Sequence, residues 1–220
     1  MSRVTVIGGH GKVALLLTPL IVADGHEVTS IVRNPEHVPD VERTGATATV
    51  LDIASASTEQ LAELLSGSDV VVWSAGAGGG SPQRTYAVDR DAAIRSVDAA
   101  AQAGVGRYVM VSYFGAGPGH GVPEDSSFYA YADAKTAADE HLQGSDLAWT
   151  ILRPSGLTLE AATGHIESGD GVVARQVSRD NVAHVIRSVV EHADSTARRV
   201  LAFNDGGQPI DDVVGTAPTS

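Results

Sequence analysis

Tyr131 and Lys135 stand four residues apart in Tyr131-Ala132-Asp133-Ala134-Lys135, inside a segment of helical period from Ser127 to Leu142. Residues at that spacing share a helix face. A phenol titrates at about pH 10 in water, too high for proton transfer at neutral pH, and an ammonium beside it favours the phenolate. The pair is therefore a candidate acid/base, with Lys135 expected to lower the pKa of Tyr131 and to hold sugar hydroxyls. The chain has only two lysines, Lys12 and Lys135, so the pairing is not a common accident of composition. Tyr129 competes for the role but has Asp133 at the fourth position, a partner that would raise its pKa.

A second cluster lies near the start. The strand-like Val4-Thr5-Val6-Ile7 runs into Gly8-Gly9-His10-Gly11-Lys12-Val13-Ala14, from which an apolar helical segment continues to Asp24. Such a turn needs a first glycine for the reversal and a second so that backbone approaches a pyrophosphate, and a small third residue lets the helix pack on the sheet. The helix start adds unpaired N–H groups and a partial positive charge. Because the motif closes the first strand and opens a helix, it predicts dinucleotide binding by Gly8, His10, Gly11, Lys12 and Val13, rather than a tight turn with no ligand.

The next strand candidate, Glu27 to Val32, ends in Val32-Arg33-Asn34-Pro35. Sites for NAD commonly place a carboxylate here on the ribose 2′-hydroxyl, whereas an arginine can grip a 2′-phosphate through two parallel bonds. Arg33, with Asn34 beside it, thus favours NADP(H) as cofactor, with NAD(H) the alternative. Asp52, after a third strand from Thr47 to Leu51, is placed to accept from the adenine amino group, with Ile53 packing on the ring. Ser74, Ala75 and Gly76, after the apolar strand Val70 to Trp73, are small enough for backbone to lie along the adenosine ribose. Each of these also has an ordinary reading as a loop residue.

Positions of this kind need a scaffold that gathers strand ends. Further along come a helix from Thr58 to Leu65, N-capped by Thr58 and stopped at Gly67, and a long helix from Tyr86 to Ala103 closed by Gly104. A strand from Tyr108 to Val111 precedes the Tyr131 helix, and Ala148–Leu152, the helix Asp180–His192 and Arg199–Phe203 complete the series. Strand-helix alternation repeated this often predicts an α/β fold with an open, mostly parallel sheet, whose ligands bind beyond the carboxyl ends of the strands. Pro19 falls inside the first helix and is expected to kink it or end it early. The loosest stretches are Gly76–Pro82, Gly115–Ser126 and Glu160–Gly171, and the tail from Gly215 to Ser220 reads as frayed.

Composition narrows the function. A chain of 220 residues is long enough for one domain with a proper core. Its 27 acidic against 15 basic residues give a net charge of -12, which repels phosphate backbones and anionic lipid, so neither nucleic acid nor membrane is an expected partner. Absence of cysteine removes disulfides and thiol chemistry, and the eight histidines show no metal-binding spacing. No Gly-x-Ser-x-Gly elbow supports a serine hydrolase. Asp139 and Glu140 read as a solvated carboxylate pair, His184 and His192 as surface or packing residues, and His120 as a loop histidine. The apolar stretch Val13–Ala23 is far short of a bilayer span, and a strand-like run follows Met1-Ser2-Arg3 at once, leaving no room for a secretory signal. A cytoplasmic protein is expected, monomeric or a small homo-oligomer, with a small-molecule substrate.

The chain resembles atypical short-chain dehydrogenase/reductases, particularly NAD(P)-binding proteins similar to NmrA and to biliverdin reductase B/flavin reductase. The resemblance covers almost the whole chain and rests on the Gly8–Val13 turn, Val32-Arg33-Asn34-Pro35, Gly104 to Ser112, Tyr131 to Lys135, and Ser145 to Pro154. It implies a Rossmann-type doubly wound parallel sheet in a single domain over residues 1–220, with about 154–180 forming a small C-terminal substrate-side region. It also implies Tyr131 and Lys135 as the acid/base pair, the nucleotide contacts given above, and Pro154 near the nicotinamide. Relatives often carry two hydroxyl residues after the fifth strand, where this chain reads Ser112-Tyr113-Phe114. Either Ser112 polarises a substrate carbonyl, or Tyr113 supplies a hydroxyl from further out, or the role is vacant. The expected function is an NADP(H)-dependent oxidoreductase of a small carbonyl or conjugated substrate. The alternatives are a non-catalytic NADP(H)-binding regulator and a nucleotide-sugar epimerase or dehydratase, the last disfavoured by the short segment after Pro154.

Overall fold

The computed structural model describes residues 1–216. Seven parallel strands form most of one sheet: β1 (Arg3–Ile7), β2 (Glu27–Val32), β3 (Thr47–Val50), β4 (Val70–Trp73), β5 (Arg107–Val111), β6 (Ala148–Pro154) and β10 (Arg199–Asp205). Two short strands, β8 (His165–Ser168) and β11 (Gln208–Pro209), extend it by antiparallel pairing to the order β11-β8-β10-β6-β5-β4-β1-β2-β3. β7 (Gly156–Thr158) and β9 (Gln176–Ser178) pair separately. Helices α1 (Lys12–Ala23), α2 (Val38–Glu42), α3 (Thr58–Leu65), α4 (Pro82–Thr85), α5 (Ala93–Gln102), α6 (Tyr129–Gln143), α7 (Arg179–Glu191), α8 (Ala193–Thr196) and α9 (Ile210–Gly215) connect and cover the strands. The fold is a doubly wound α/β sheet of Rossmann type, with the chain reversing its direction of strand addition between β1 and β4.

Both sheet faces are buried, which is why the central strands are nearly continuous apolar runs. Alternate residues serve opposite faces. Val4, Val6, Val70, Val72, Val109 and Leu152 pack in a core with Leu17 and Ile21 of α1 and Val182, Val185 and Ile186 of α7. Ile7, Val71, Trp73, Tyr108, Met110 and Ile151 pack in the other with α3, α5 and α6. Pro19 does not end α1, which runs on to Ala23. Its ring is exposed, while Leu17, Thr18 and Ile21 around it are buried, so packing of the apolar face outweighs the lost backbone bond.

Four stretches differ from expectation for local reasons. Ser57, not Thr58, caps α3: its hydroxyl accepts from the Gln60 N–H and the Gln60 side chain accepts from the Ser57 N–H, a reciprocal capping box. The long helix before β5 starts earlier, at Pro82, and contains a π-helical stretch over Tyr86–Ala92. Glu160–Gly171 is not uniformly loose, because β8 lies within it. Gly215 closes α9 rather than opening a frayed tail, and the rest of that tail from residue 217 lies outside the described residues. Among the described residues no helix is long and apolar enough to cross a membrane.

Candidate functional site

The carboxyl end of β1 turns at Gly8, which takes φ +90°. A Cβ there would stand 2.6 Å from the Ala75 Cα, so glycine is required both by conformation and by the approach of the β4 loop. Gly9, which the spacing of the motif does not single out, is as constrained: its Cβ would meet the Ser30 Cβ at 2.5 Å. The N–H groups of Gly8 and Gly9 donate to the Ile31 carbonyl at 3.2 and 2.9 Å, and Gly11 N–H donates to the Gly8 carbonyl at 2.9 Å. Gly11 is the N-cap of α1 and brings no side chain to it, so the first N–H groups of the helix are left to an outside acceptor.

Beside this turn lies a hollow of about 250 Å³, lined by Gly8, His10, Gly11, Arg33, Asn34, Asp52, Ile53 and Ser74 to Gly76. His37 and Arg84 also line it. Neither carries a motif, and only the return of the segment after β2 and of α4 to the same mouth reveals them. Asn34 and Asp52 have structural duties as well. Asn34 Oδ1 accepts from the Glu36 N–H at 3.1 Å and caps the turn Pro35–His37, and Asp52 Oδ1 accepts from the Ala54 N–H at 3.1 Å. Arg33 is exposed at the rim.

A second hollow, of about 530 Å³, is lined by Lys12, Val13, Asp89, Ser112, Phe128, Tyr131, Lys135, Leu157 and Arg179. Gly11 and Ser74 to Ala77 border both, so the two are compartments of one cleft along the strand ends. Pro154 is not on its wall. It is buried in β6, where its carbonyl accepts from the Phe114 N–H at 3.0 Å, and Leu157 reaches the cleft instead. His120 is also outside the cleft, its Nδ1 accepting from the Val122 N–H at 3.1 Å.

The electrostatics behind the second compartment differ from expectation. Lys135 is 2% exposed, and its Nζ donates to the Val111 carbonyl at 2.7 Å. Burial lowers its pKa, against the raising pull of Asp89 and Asp139. Asp139 is fully buried rather than solvated. Its Oδ2 accepts from Ser112 Oγ at 2.9 Å and from Arg153 Nε at 3.1 Å, and burial raises its pKa against the pull of Lys135 and Arg153. Asp89, on the π-helical stretch, is 1% exposed; its Oδ2 accepts from the Ala77 N–H at 2.9 Å while Oδ1 has no partner. The Tyr131 phenol is pushed up, not down, first by burial and then by the charge of Asp89. Spacing on a helix face does not lower the phenol here: the Lys135 ammonium is bonded to the Val111 carbonyl, and burial and the Asp89 charge dominate at Tyr131. Tyr113 turns its ring to Phe128 and Tyr131, with centroids at 5.4 Å to each, and its buried hydroxyl has no partner. Among the described residues no group of three His, Asp or Glu side chains meets in a way that would hold a metal ion.

The chain is similar to known proteins along nearly its whole length. The chain is 36% identical to a UPF0659 protein of Schizosaccharomyces pombe, over 96% of this chain and 92% of that one. It is 31% identical to an uncharacterised sugar epimerase, YhfK, of Bacillus subtilis, over 94% and 96%. A solved structure from Bacillus halodurans, whose name carries an NAD-dependent epimerase/dehydratase assignment, superposes with a TM-score of 0.89 at 31% identity, covering 97% of this chain and 99% of that chain. The anaerobilin reductase ChuY of Escherichia coli, at 23% identity and a TM-score of 0.75 over 93% and 97%, shares the fold alone. The family described as NAD(P)H-binding matches residues 8–193, which hold the glycine turn, both compartments and every candidate catalytic side chain. The chain therefore belongs to the NAD(P)H-binding family and has its oxidoreductase-like fold.

Proposed function

We propose that the protein is an NADP(H)-dependent oxidoreductase of a small carbonyl or conjugated substrate. The observation that carries this reading is the single cleft joining the Gly8–Gly11 turn to Tyr131, Lys135 and Ser112 through the shared Ser74–Ala77 segment. The residues fit a dinucleotide: a Cβ would fill the cradle at Gly8, and the α1 start has uncapped N–H donors for a pyrophosphate. Gly8, His10, Gly11, Lys12 and Val13 would hold the phosphates, and Arg33 and Asn34 the 2′-phosphate end. Asp52, Ile53 and Ser74 to Gly76 would hold the adenosine. Bound there, the cofactor supplies or accepts a hydride.

The chain's own groups then handle protons and orientation. Burial and the Asp89 charge keep the Tyr131 phenol protonated at neutral pH, so it serves as the acid that delivers a proton to a developing alkoxide. Lys135 spends one N–H on Val111 and keeps two for ribose hydroxyls. Ser112 gives its one hydroxyl hydrogen to Asp139, so it holds that carboxylate in place and leaves polarisation of the substrate carbonyl to the Tyr131 phenol. Replacing Tyr131 by Phe tests the assignment: turnover of a small carbonyl substrate should fall about 10²-fold or more while NADPH affinity holds. Equal turnover in the variant would remove Tyr131 from the chemistry.

A second reading is an epimerase or dehydratase, favoured by the names of the two 31%-identical proteins. It uses the same cleft but returns the hydride to the substrate, so the nucleotide is not consumed. Net loss of NADPH absorbance with substrate separates the two.

A further inference from the structure

We propose that Arg179 is a specificity-determining residue that pairs with a carboxylate on the substrate, so that the protein acts on small carbonyl or conjugated compounds carrying an acid group. This deepens the oxidoreductase reading above and rests on it.

Arg179 is half-buried on the wall of the larger compartment, which Tyr131 and Lys135 also line. The small β7–β9 sheet places it there. β9 ends at Ser178, whose hydroxyl caps α7 by accepting from the Asn181 N–H at 2.9 Å, and Arg179 is the first residue of that helix. Its Nη1 donates to the Leu157 and Thr158 carbonyls of β7 at 3.0 and 2.8 Å, which holds the guanidinium in place. Nε and Nη2 have no acceptor among the described residues. Those two atoms form one edge of the fork, and the same chain shows what that edge takes: Arg187 Nε and Nη2 each reach a different oxygen of Asp24 at 2.6 Å.

A tie between β7 and α7 accounts for Nη1 but not for the rest of the fork. The start of a helix favours anions, so a cation at the first position of α7 works against the helix dipole. Asp180, the acid beside it, accepts from the Ala162 N–H at 2.9 Å instead. In a chain of net charge -12, the charged residues on this wall are Lys12, Lys135, Arg179 and one carboxylate, Asp89, which is buried and accepts from the Ala77 N–H. Lys12 stands at the glycine turn and Lys135 is bonded to Val111, which leaves Arg179 for the substrate. Phe128 and Leu157 line the same space with exposed apolar side chains, and the Phe128 ring lies 5.2 Å from that of Tyr131. A guanidinium edge beside an apolar wall fits a molecule with an anionic end and an unsaturated or aromatic body. The compartment of about 530 Å³ must also take the nicotinamide end of the cofactor, so the room left is that of a small acid.

The test is calorimetric titration of the full chain, first with NADP, then of the NADP-loaded protein with benzoate and cinnamate, each against its uncharged amide, and with phenyl phosphate. Each acid should bind about tenfold or more tighter than its amide. Arg179→Gln should erase that difference while NADP affinity holds. Arg179→Lys, which keeps the charge without the two-bond edge, should retain only part of it, and this drop decides the matter should Arg179→Gln fail to fold. A purely structural Arg179 would leave the ratio of acid to amide affinity unchanged in any folded variant. Equal binding of acids and amides, binding of neither, or a preference unchanged in the variants overturns the carboxylate assignment while leaving dinucleotide binding intact. Phenyl phosphate binding more tightly than both acids overturns it as well, in favour of a phosphorylated substrate. Failure of NADP to bind overturns the dinucleotide reading, and this inference with it.

Discussion

The Ser112 hydroxyl donates to Asp139 Oδ2 at 2.9 Å, and the carboxylate that receives it is wholly shielded from water. Arg153 bonds the same oxygen through Nε at 3.1 Å and pairs through Nη2 at 3.0 Å. The backbone end of β5, the middle of α6 and β6 are thus tied at one atom directly behind the cleft. Removing the acceptor would leave a nearly buried guanidinium without its partner.

Asp139→Ala should therefore destabilise the protein by about 3–5 kcal/mol. Asp139→Asn, which keeps an acceptor for Ser112 and Arg153, should cost clearly less. Urea midpoints of the two variants check this, and an alanine variant within about 1 kcal/mol of wild type would show the pair to be dispensable.

Asp89 predicts a pH signature. Burial raises its carboxyl above the usual range, partly offset by the Lys135 charge and the Ala77 N–H. A carboxyl raised in the folded state contributes stability that is fully present below its unfolded pKa, about 3.9, and lost as pH rises through the folded value. Asp89→Asn cannot undergo that loss. Its stability relative to wild type should grow between about pH 4 and about pH 7. A denaturation series showing a constant difference across that span would contradict the burial of an ionisable Asp89.

Two glycines with almost the same backbone conformation should respond differently to alanine. Gly8 has φ +90° and would place its Cβ 2.6 Å from Ala75 Cα, whereas Gly25 has φ +86° and open space around it. Gly25→Ala should cost only the left-handed penalty, about 1–2 kcal/mol. Gly8→Ala must also push the β4 loop away, so it should cost more and open the turn. Equal melting temperatures for the two variants would mean that the contact with Ala75 is not rigid.

Pro19 should be replaceable with gain. It sits exposed in the interior of α1 and cannot donate to the carbonyl four residues back. Pro19→Ala restores that donor and should stabilise by about 1–3 kcal/mol, read as a higher melting temperature. No change would imply that α1 is already relaxed around the ring.

The sequence made the sheet legible because its central strands announce themselves locally: Val70–Trp73 is apolar on both faces, and the glycine turn after Ile7 follows from backbone sterics alone. The hollow beside the glycine turn was legible for the same reason, since Gly8, Arg33, Asp52 and Ser74, which line it, each follow a strand. Short β8 and β11 were not, because they exist only through antiparallel pairing with each other and with β10. The surroundings of Tyr131 were not legible either. A helix face gives the spacing of Tyr131 and Lys135, but whether Asp139 two turns on is solvated or buried depends on how α6 lies against β5 and β6. Ser57 and Gln60 did carry a readable capping signal, three residues apart.

Calorimetric titration with NADPH tests most directly whether the turn leaving β1 holds a dinucleotide. Saturable binding of one NADPH per chain is the predicted result. Arg33→Ala should weaken it about tenfold or more while leaving NADH affinity unchanged. No heat with either nucleotide at millimolar concentration would contradict the central claim.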